Sequence, residues 1–120
     1  MLKLFLRPVD SSISSSVTVL LRVHRQQGYV IAAMCDKKLL GKTLSDGVRQ
    51  VHFSEEFFGG VEVDADDVAR ISELLQGVDS ITAFGEESIT LLSKLYPSVL
   101  DAVITVCNVP YVQVFMVLFE

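Results

Sequence analysis

Apolar and polar positions alternate through "VTVLLRVHR" (17–25): Val17, Val19, Leu21 and Val23 fall on one side, Thr18, Leu20, Arg22 and His24 on the other. A period of two predicts a strand with one buried face. "QQG" follows, with Gly28 free to take positive φ, and the chain returns as "YVIAAMC" (29–35). That run is apolar throughout, as in a strand covered on both faces. The pair predicts a hairpin.

Asp36 is then expected to cap a single helical turn over "KKLLGK", which Gly41 can end in the left-handed region. "SDG" (45–47) predicts a turn, "VRQVHFS" (48–54) a short strand and "EEFFGG" (55–60) a loop. "VEVDADDVARISELLQG" (61–77) predicts a helix capped by Asp64. Its first turn holds Asp66 and Asp67, its apolar stripe is Val68, Ile71, Leu74 and Leu75, and Gly77 stops it. "SITAFGEESITLLSKLYP" predicts a strand, then Gly85, then a helix closed by Pro97. Ile89, Leu92, Leu95 and Tyr96 form the inward side of that helix.

"AVITVC" (102–107) predicts another strand, so residues 80–107 outline a βαβ unit with a right-handed crossover. The closing "YVQVFMVLF" is apolar on both faces and is expected to be central or covered. The expected class is α/β (α+β): one compact domain over residues 17–120, with a mixed sheet, an N-terminal hairpin, two main helices and a C-terminal βαβ unit. Residues 1–16, ending in "DSSISSS", are expected to be an extension. The chain contains no internal repeat and no linker.

Composition supports one self-sufficient core: 120 residues, half of them apolar and 21% charged. No apolar segment reaches the roughly 20 residues that a bilayer requires, and "MLKLFL" is too short for a signal sequence. A cytoplasmic location with no membrane partner is the expectation. Cys35 and Cys107 each end an apolar run, which predicts buried, reduced thiols.

Charge adds an asymmetry to the net value of −5. Residues 1–50 carry eight Lys and Arg against three acids, or +5, and residues 51–120 carry two against twelve, or −10. A basic half on an acidic protein can mark a surface that faces a polyanion.

Lys37, Lys38 and Lys42 surround the turn after Asp36, and lysine beside free amides is one way proteins hold phosphate. "GKT" (41–43) ends like a phosphate-binding loop, but Asp36 stands where that loop needs its first glycine, so nucleoside-triphosphatase chemistry is excluded. A Cys35 nucleophile would need His24 or His52 as base, and the spacing brings neither close. Cys35, Cys107, His24 and His52 contain no closely spaced ligand pair, so no metal or other cofactor is expected. Gly85 and Glu86 stand between a strand and a helix, where open α/β sheets bind ligands, although paired acids there also satisfy the helix dipole. Phe57 and Phe58 combine a core position with a lid position that could stack on a base.

Together and in this order, "CDKKLLGKT", "FFGG", "FGEES" ahead of a helix and "VPYVQ" near the end resemble a family of small archaeal proteins. It is domain-of-unknown-function family 424, and the resemblance spans residues 19–114. The family pattern has a glycine before "VP" and a histidine after the proline, where this chain has Asn108 and Tyr111. The resemblance implies archaeal origin, a compact α/β domain and an association with translation genes. It implies no activity.

Three functional expectations follow. The first is a non-enzymatic translation- or ribosome-associated module contacting RNA phosphate through Arg22, Arg25, Lys37, Lys38 and Lys42, with the ribosome, RNA or a translation factor as partner. The second is a small-molecule-binding protein or enzyme. Its pocket would join Cys35, Asp36, Gly41, Phe58, Gly59, Gly60, Gly85, Glu86, Pro110 and Gln113, with Lys42 beside them. The third is an interaction scaffold that offers the C-terminal strand as an edge to a partner or a second copy.

Overall fold

The computed structural model describes residues 17–116. The serine-rich start, expected as an extension, and the last four residues lie outside this range. The predicted hairpin is present as β1 (Thr18–Gln26) and β2 (Tyr29–Asp36), paired from Val19↔Asp36 to Gln26↔Tyr29. A 3₁₀ turn (Lys37–Leu39) leads to a small hairpin of β3 (Thr43–Ser45) and β4 (Gln50–His52). The chain continues as α1 (Glu55–Phe58), β5 (Val61–Asp64), α2 (Val68–Leu74), β6 (Ser80–Phe84) and α3 (Glu86–Ser93). It ends in a 3₁₀ segment (Pro97–Ala102), β7 (Ile104–Val106) and β8 (Val109–Phe115).

Six strands form one mixed sheet in the order β5-β1-β2-β6-β8-β7, in which β2 and β6 are the parallel pair. The α+β class and the two main helices agree with the sequence pattern. One sheet face is covered by α2, α3 and the Pro97–Ala102 segment, which bury Val19, Leu21, Ala32, Met34, Ile81, Ala83 and Val112 against Ile71, Leu75, Ile89, Leu91, Leu92 and Val99. Each fully buried side chain of this size contributes roughly 1.5–3 kcal/mol, so this layer holds the sheet and helices together. Half of the opposite face carries a second core, where Leu20, Ala33, Cys35 and Phe84 meet Leu39, Phe53, Phe58, Val106 and Cys107.

Three expectations are corrected. Residues 55–58 are helical, not a loop: the Ser54 hydroxyl accepts from the Phe57 amide at 3.2 Å, and Phe58 is driven into the second core. Residues 61–64 are a strand and the helix begins only at Val68, capped by Asp67, whose carboxylate accepts from Arg70 N at 3.1 Å. The alternation in "VEVD" supplies an edge for β1, and Gly60 allows the approach because a β-carbon there would strike the Leu21 carbonyl.

In the expected βαβ unit, β6 and β7 do run parallel, each antiparallel to β8, but β8 lies between them. The cause is the two-residue turn Cys107-Asn108, whose φ values of 52° and 67° are those of a tight hairpin that folds β8 straight back into the gap. It follows that β8 is internal, as its apolar faces predict, and the edge-strand scaffold expectation fails for it. The sheet edges are β5 and β7.

Candidate functional site

The carboxyl ends of the parallel strands β2 and β6 meet the start of α3, and Asp36 occupies that corner. It lies in register with Val19, so its side chain falls on the helix-covered side. It does not cap its own turn, contrary to expectation. Instead Oδ1 accepts from Ser88 N at 2.8 Å and Oδ2 from Glu87 N at 3.2 Å, so Asp36 caps α3 across 50 residues of chain. Gly85, at φ +108, makes room: a β-carbon there would overlap the Asp36 carboxylate.

Burial pushes the Asp36 carboxyl up to about 7, and a hydrogen bond with the Glu87 carboxyl pushes in the same direction. That shared hydrogen bond lowers the pKa of Glu87, and Lys38, 3.6 Å from it, adds to the effect. The two carboxyls therefore titrate as a coupled pair, in which Asp36 holds a proton more readily than Glu87.

This corner has clefts on its surface. One of about 180 Å³ is lined by Asp36, Lys38, Leu39, Gly85, Glu86, Asn108, Val109 and Pro110. Another of about 240 Å³ adjoins Asp36, Lys37, Lys38 and Glu87. Both fall short of the roughly 300 Å³ at which small-molecule sites begin. The Asp36 carboxylate also already takes two amides of α3 that an incoming phosphate would use. Of the pocket residues read from the sequence, Asp36, Gly85, Glu86 and Pro110 converge here. Cys35, Phe58 and Gly60 do not line these clefts: Cys35 and Phe58 are in the second core, and Gly60 packs on β1. Gly41 donates to the Phe53 carbonyl at 2.7 Å, and Gly59 offers its own carbonyl to Arg22.

Both cysteines are free and buried. Burial pushes the Cys35 thiol up to about 12, and the neighbouring Asp36 adds to the rise, so it is a core residue rather than a thiolate nucleophile. Among the described residues no group of His, Cys, Asp and Glu could hold a metal ion.

The basic residues divide. Lys37 pairs with Glu62 at 3.0 Å and Lys38 with Glu87 at 3.6 Å. Among the described residues, Arg22, Arg25 and Lys42 make no ion pair with a carboxylate. Arg22 instead donates to the carbonyls of Glu55, the first residue of α1, and Gly59, its C-cap.

The rest of the second sheet face has no helix over it among the described residues. By register, Arg22, Ala33, Thr82 and Gln113 form one row across it, and His24, Ile31, Ser80 and Phe115 the next. Small side chains make the middle of this surface and lie low in it: Ala33 and Ser80 are buried, at 0% and 2% exposed, and Ile31 and Thr82 are part-buried. On one side His24 stacks on Phe57, with centroids 4.6 Å apart and planes 17° from parallel. On the other, Tyr111, Gln113 and Phe115 alternate along β8, with Phe115 64% exposed and Tyr111 packed at 4.6 Å on Phe84. Tyr29, 41% exposed, ends the face. Thr82 Oγ1 and Tyr111 Oη both donate to Gln113 Oε1, at 2.9 and 2.8 Å.

Sequence reasoning named Gln113, Arg22 and Phe57 but passed over Tyr29, Thr82, Tyr111 and Phe115. The signal was present in "YVQVF", where aromatic, amide and aromatic fall on one side of a period of two. It was masked by the valines between them, which make the strand apolar on both sides.

The architecture is a small α+β protein whose mixed sheet is closed by helices on one face and, among the described residues, carries a second core over half of the other. The chain belongs to the family described as "Protein of unknown function (DUF424)", whose model matches residues 24–117. The crystal structure of an uncharacterized conserved protein from Methanopyrus kandleri is similar to it, with a TM-score of 0.75 and 29% identity, covering 86% of this chain and 95% of that one. No curated protein matches. Asn108 sits at φ 67°, a left-handed position that suits asparagine nearly as well as glycine, and the Tyr111 ring packs on Phe84.

Proposed function

We propose that this protein binds single-stranded RNA within the translation apparatus, laying bases on the open half of its sheet. The observation that carries this reading is the pair of aromatic borders, the His24–Phe57 stack and the Tyr111–Gln113–Phe115 row, which face each other across the part-buried Ile31 and Thr82, with Arg22 beside them. Aromatic faces stack on any base and contribute about 1–3 kcal/mol each. A surface that interleaves aromatic rings with arginine and amide groups suits bases better than it suits an aliphatic protein partner. The reading retains Arg22 from the basic set and makes Lys37 and Lys38, already paired with acids, incidental; Arg25, in register with Val30, falls on the helix-covered side.

A net charge of −5 works against broad polyanion binding, so contact is local and short. If Arg22 and Lys42 each neutralise one phosphate, log K falls against log salt with a slope of about −1.4. Fluorescence anisotropy with a labelled single-stranded RNA across a salt series reads this directly. Binding that weakens with that slope, and is lost in Arg22→Ala, is the expected result. Absence of binding at low salt, or equal binding to duplex RNA, would sink the reading. Co-migration with ribosomal particles in a low-salt lysate, lost at high salt, is the corresponding result with native partners.

A further inference from the structure

The side chain of Gln113 is held by two hydrogen bonds that both end on one atom. Oε1 accepts from Thr82 Oγ1 at 2.9 Å and from Tyr111 Oη at 2.8 Å, which fills both of its lone pairs. The amide nitrogen, with its two hydrogens, has no partner among the described residues, and the residue is part-buried on this face. The hydrogen of Tyr111 Oη is committed to Gln113, so that oxygen offers only lone pairs. The open face therefore presents a donor beside an acceptor, held in place before any ligand arrives and flanked by the ring of Phe115 two residues along the strand.

We infer that Gln113 and Tyr111 read the keto–imide edge of a uracil stacked at Phe115; the inference rests on the RNA reading above. Uracil O4 accepts from the Gln113 amide, and N3–H donates to Tyr111 Oη. Cytosine reverses both groups: its 4-amino group would face the amide donors, and its bare N3 would face the lone pairs of Tyr111. The two pyrimidines are alike in ring size, stacking area and phosphate charge, so the discrimination arises from the hydrogen-bond pattern alone. Leaving a buried donor or acceptor unpaired costs more than a made bond contributes, and this asymmetry makes such an edge selective.

The test is anisotropy with oligouridylate and oligocytidylate of equal length, on wild type, Gln113→Ala, Gln113→Glu and Tyr111→Phe, each first checked for folding by its melting curve. Wild type is expected to prefer oligouridylate roughly tenfold, in the lower range of a two-bond base contact. Gln113→Ala and Tyr111→Phe should lose the preference while still binding both, because the stacking rings remain. Gln113→Glu, which offers only acceptors, should bind oligouridylate least of the set. Equal binding of the two by wild type, or a preference that survives in Gln113→Ala, would overturn this inference and leave the RNA reading standing. Binding of neither would overturn both.

Discussion

The carboxylate of Asp36 rests against the α-carbon of Gly85, in the space a side chain at that position would fill. The end of β2 is thereby locked to the start of α3, and the lock depends on residue 85 having no β-carbon. Gly85→Ala adds a clash with a buried acid to a backbone at φ +108. It is expected to cost more than about 3 kcal/mol, among the large single-site effects. Urea denaturation measures it, and a loss under about 1 kcal/mol would mean that α3 can slide away from Asp36 at little cost.

The same acid makes stability depend on pH. The Asp36 pKa rises from about 3.9 unfolded to about 7 folded. Its proton-linked stabilisation is thus fully present below pH ~4 and is lost as pH rises through about 7. Glu87 shifts the other way, so its contribution is present above its unfolded pKa of about 4.3 and is lost as pH falls. Melting temperature should therefore decline from roughly pH 5 to pH 8. Asp36→Asn sets an amide N–H against one of the two α3 amides, so it should be less stable overall and lack that decline. An unchanged decline in this variant would place its origin elsewhere.

The two thiols should be silent in the native protein. Cys35 is fully buried with its pKa pushed up to about 12, and Cys107 is 5% exposed with Sγ 3.4 Å from the Arg49 carbonyl. Iodoacetamide followed by mass spectrometry at mildly alkaline pH should label both only after denaturant is added. Rapid labelling of Cys35 in the folded state would be incompatible with the second core as described.

At the β7–β8 turn, Asn108→Gly should leave the melting temperature within a few degrees of wild type, since φ 67° suits both residues. Asn108→Val should destabilise by about 1–2 kcal/mol, the cost of a left-handed backbone for an L side chain. Thermal denaturation separates them, and equal stability of all three would mean that the turn relaxes to another type.

For RNA contact, the open face and the lysine turn make opposite predictions. Phe115→Ala removes an exposed ring, so its effect on stability should stay within about 0.5 kcal/mol. It should weaken binding by roughly tenfold. Lys37→Glu, at a residue already paired with Glu62, should change binding less than about twofold. The reverse order in anisotropy would return the interface to the turn.

Local periodicity by itself determined the β1–β2 hairpin, the strand–glycine–helix unit from Ser80 to Ser93, the buried stripe on Ile71 and Leu75, and the burial of both cysteines. Each of these depends on neighbours a few residues apart: a period of two or of 3.6, a cap, a glycine at a stop. What residues far apart in the chain do to one another was decided by the tertiary structure alone. The Asp36 carboxylate was free to cap the turn beside it or a helix 50 residues on. It chose the helix because β2 and β6 pair in parallel, which brings the α3 amides to a buried acid that needs donors. Residues 61–64 became a strand because β1 had an unpaired edge to fill. The open face, too, exists only once β8 has folded back between β6 and β7, which sets Tyr111, Gln113 and Phe115 beside Thr82 and across the sheet from Arg22 and His24. Sequence spacing records which side of its own strand a residue takes, but the strand that comes to lie alongside is set by packing the whole core.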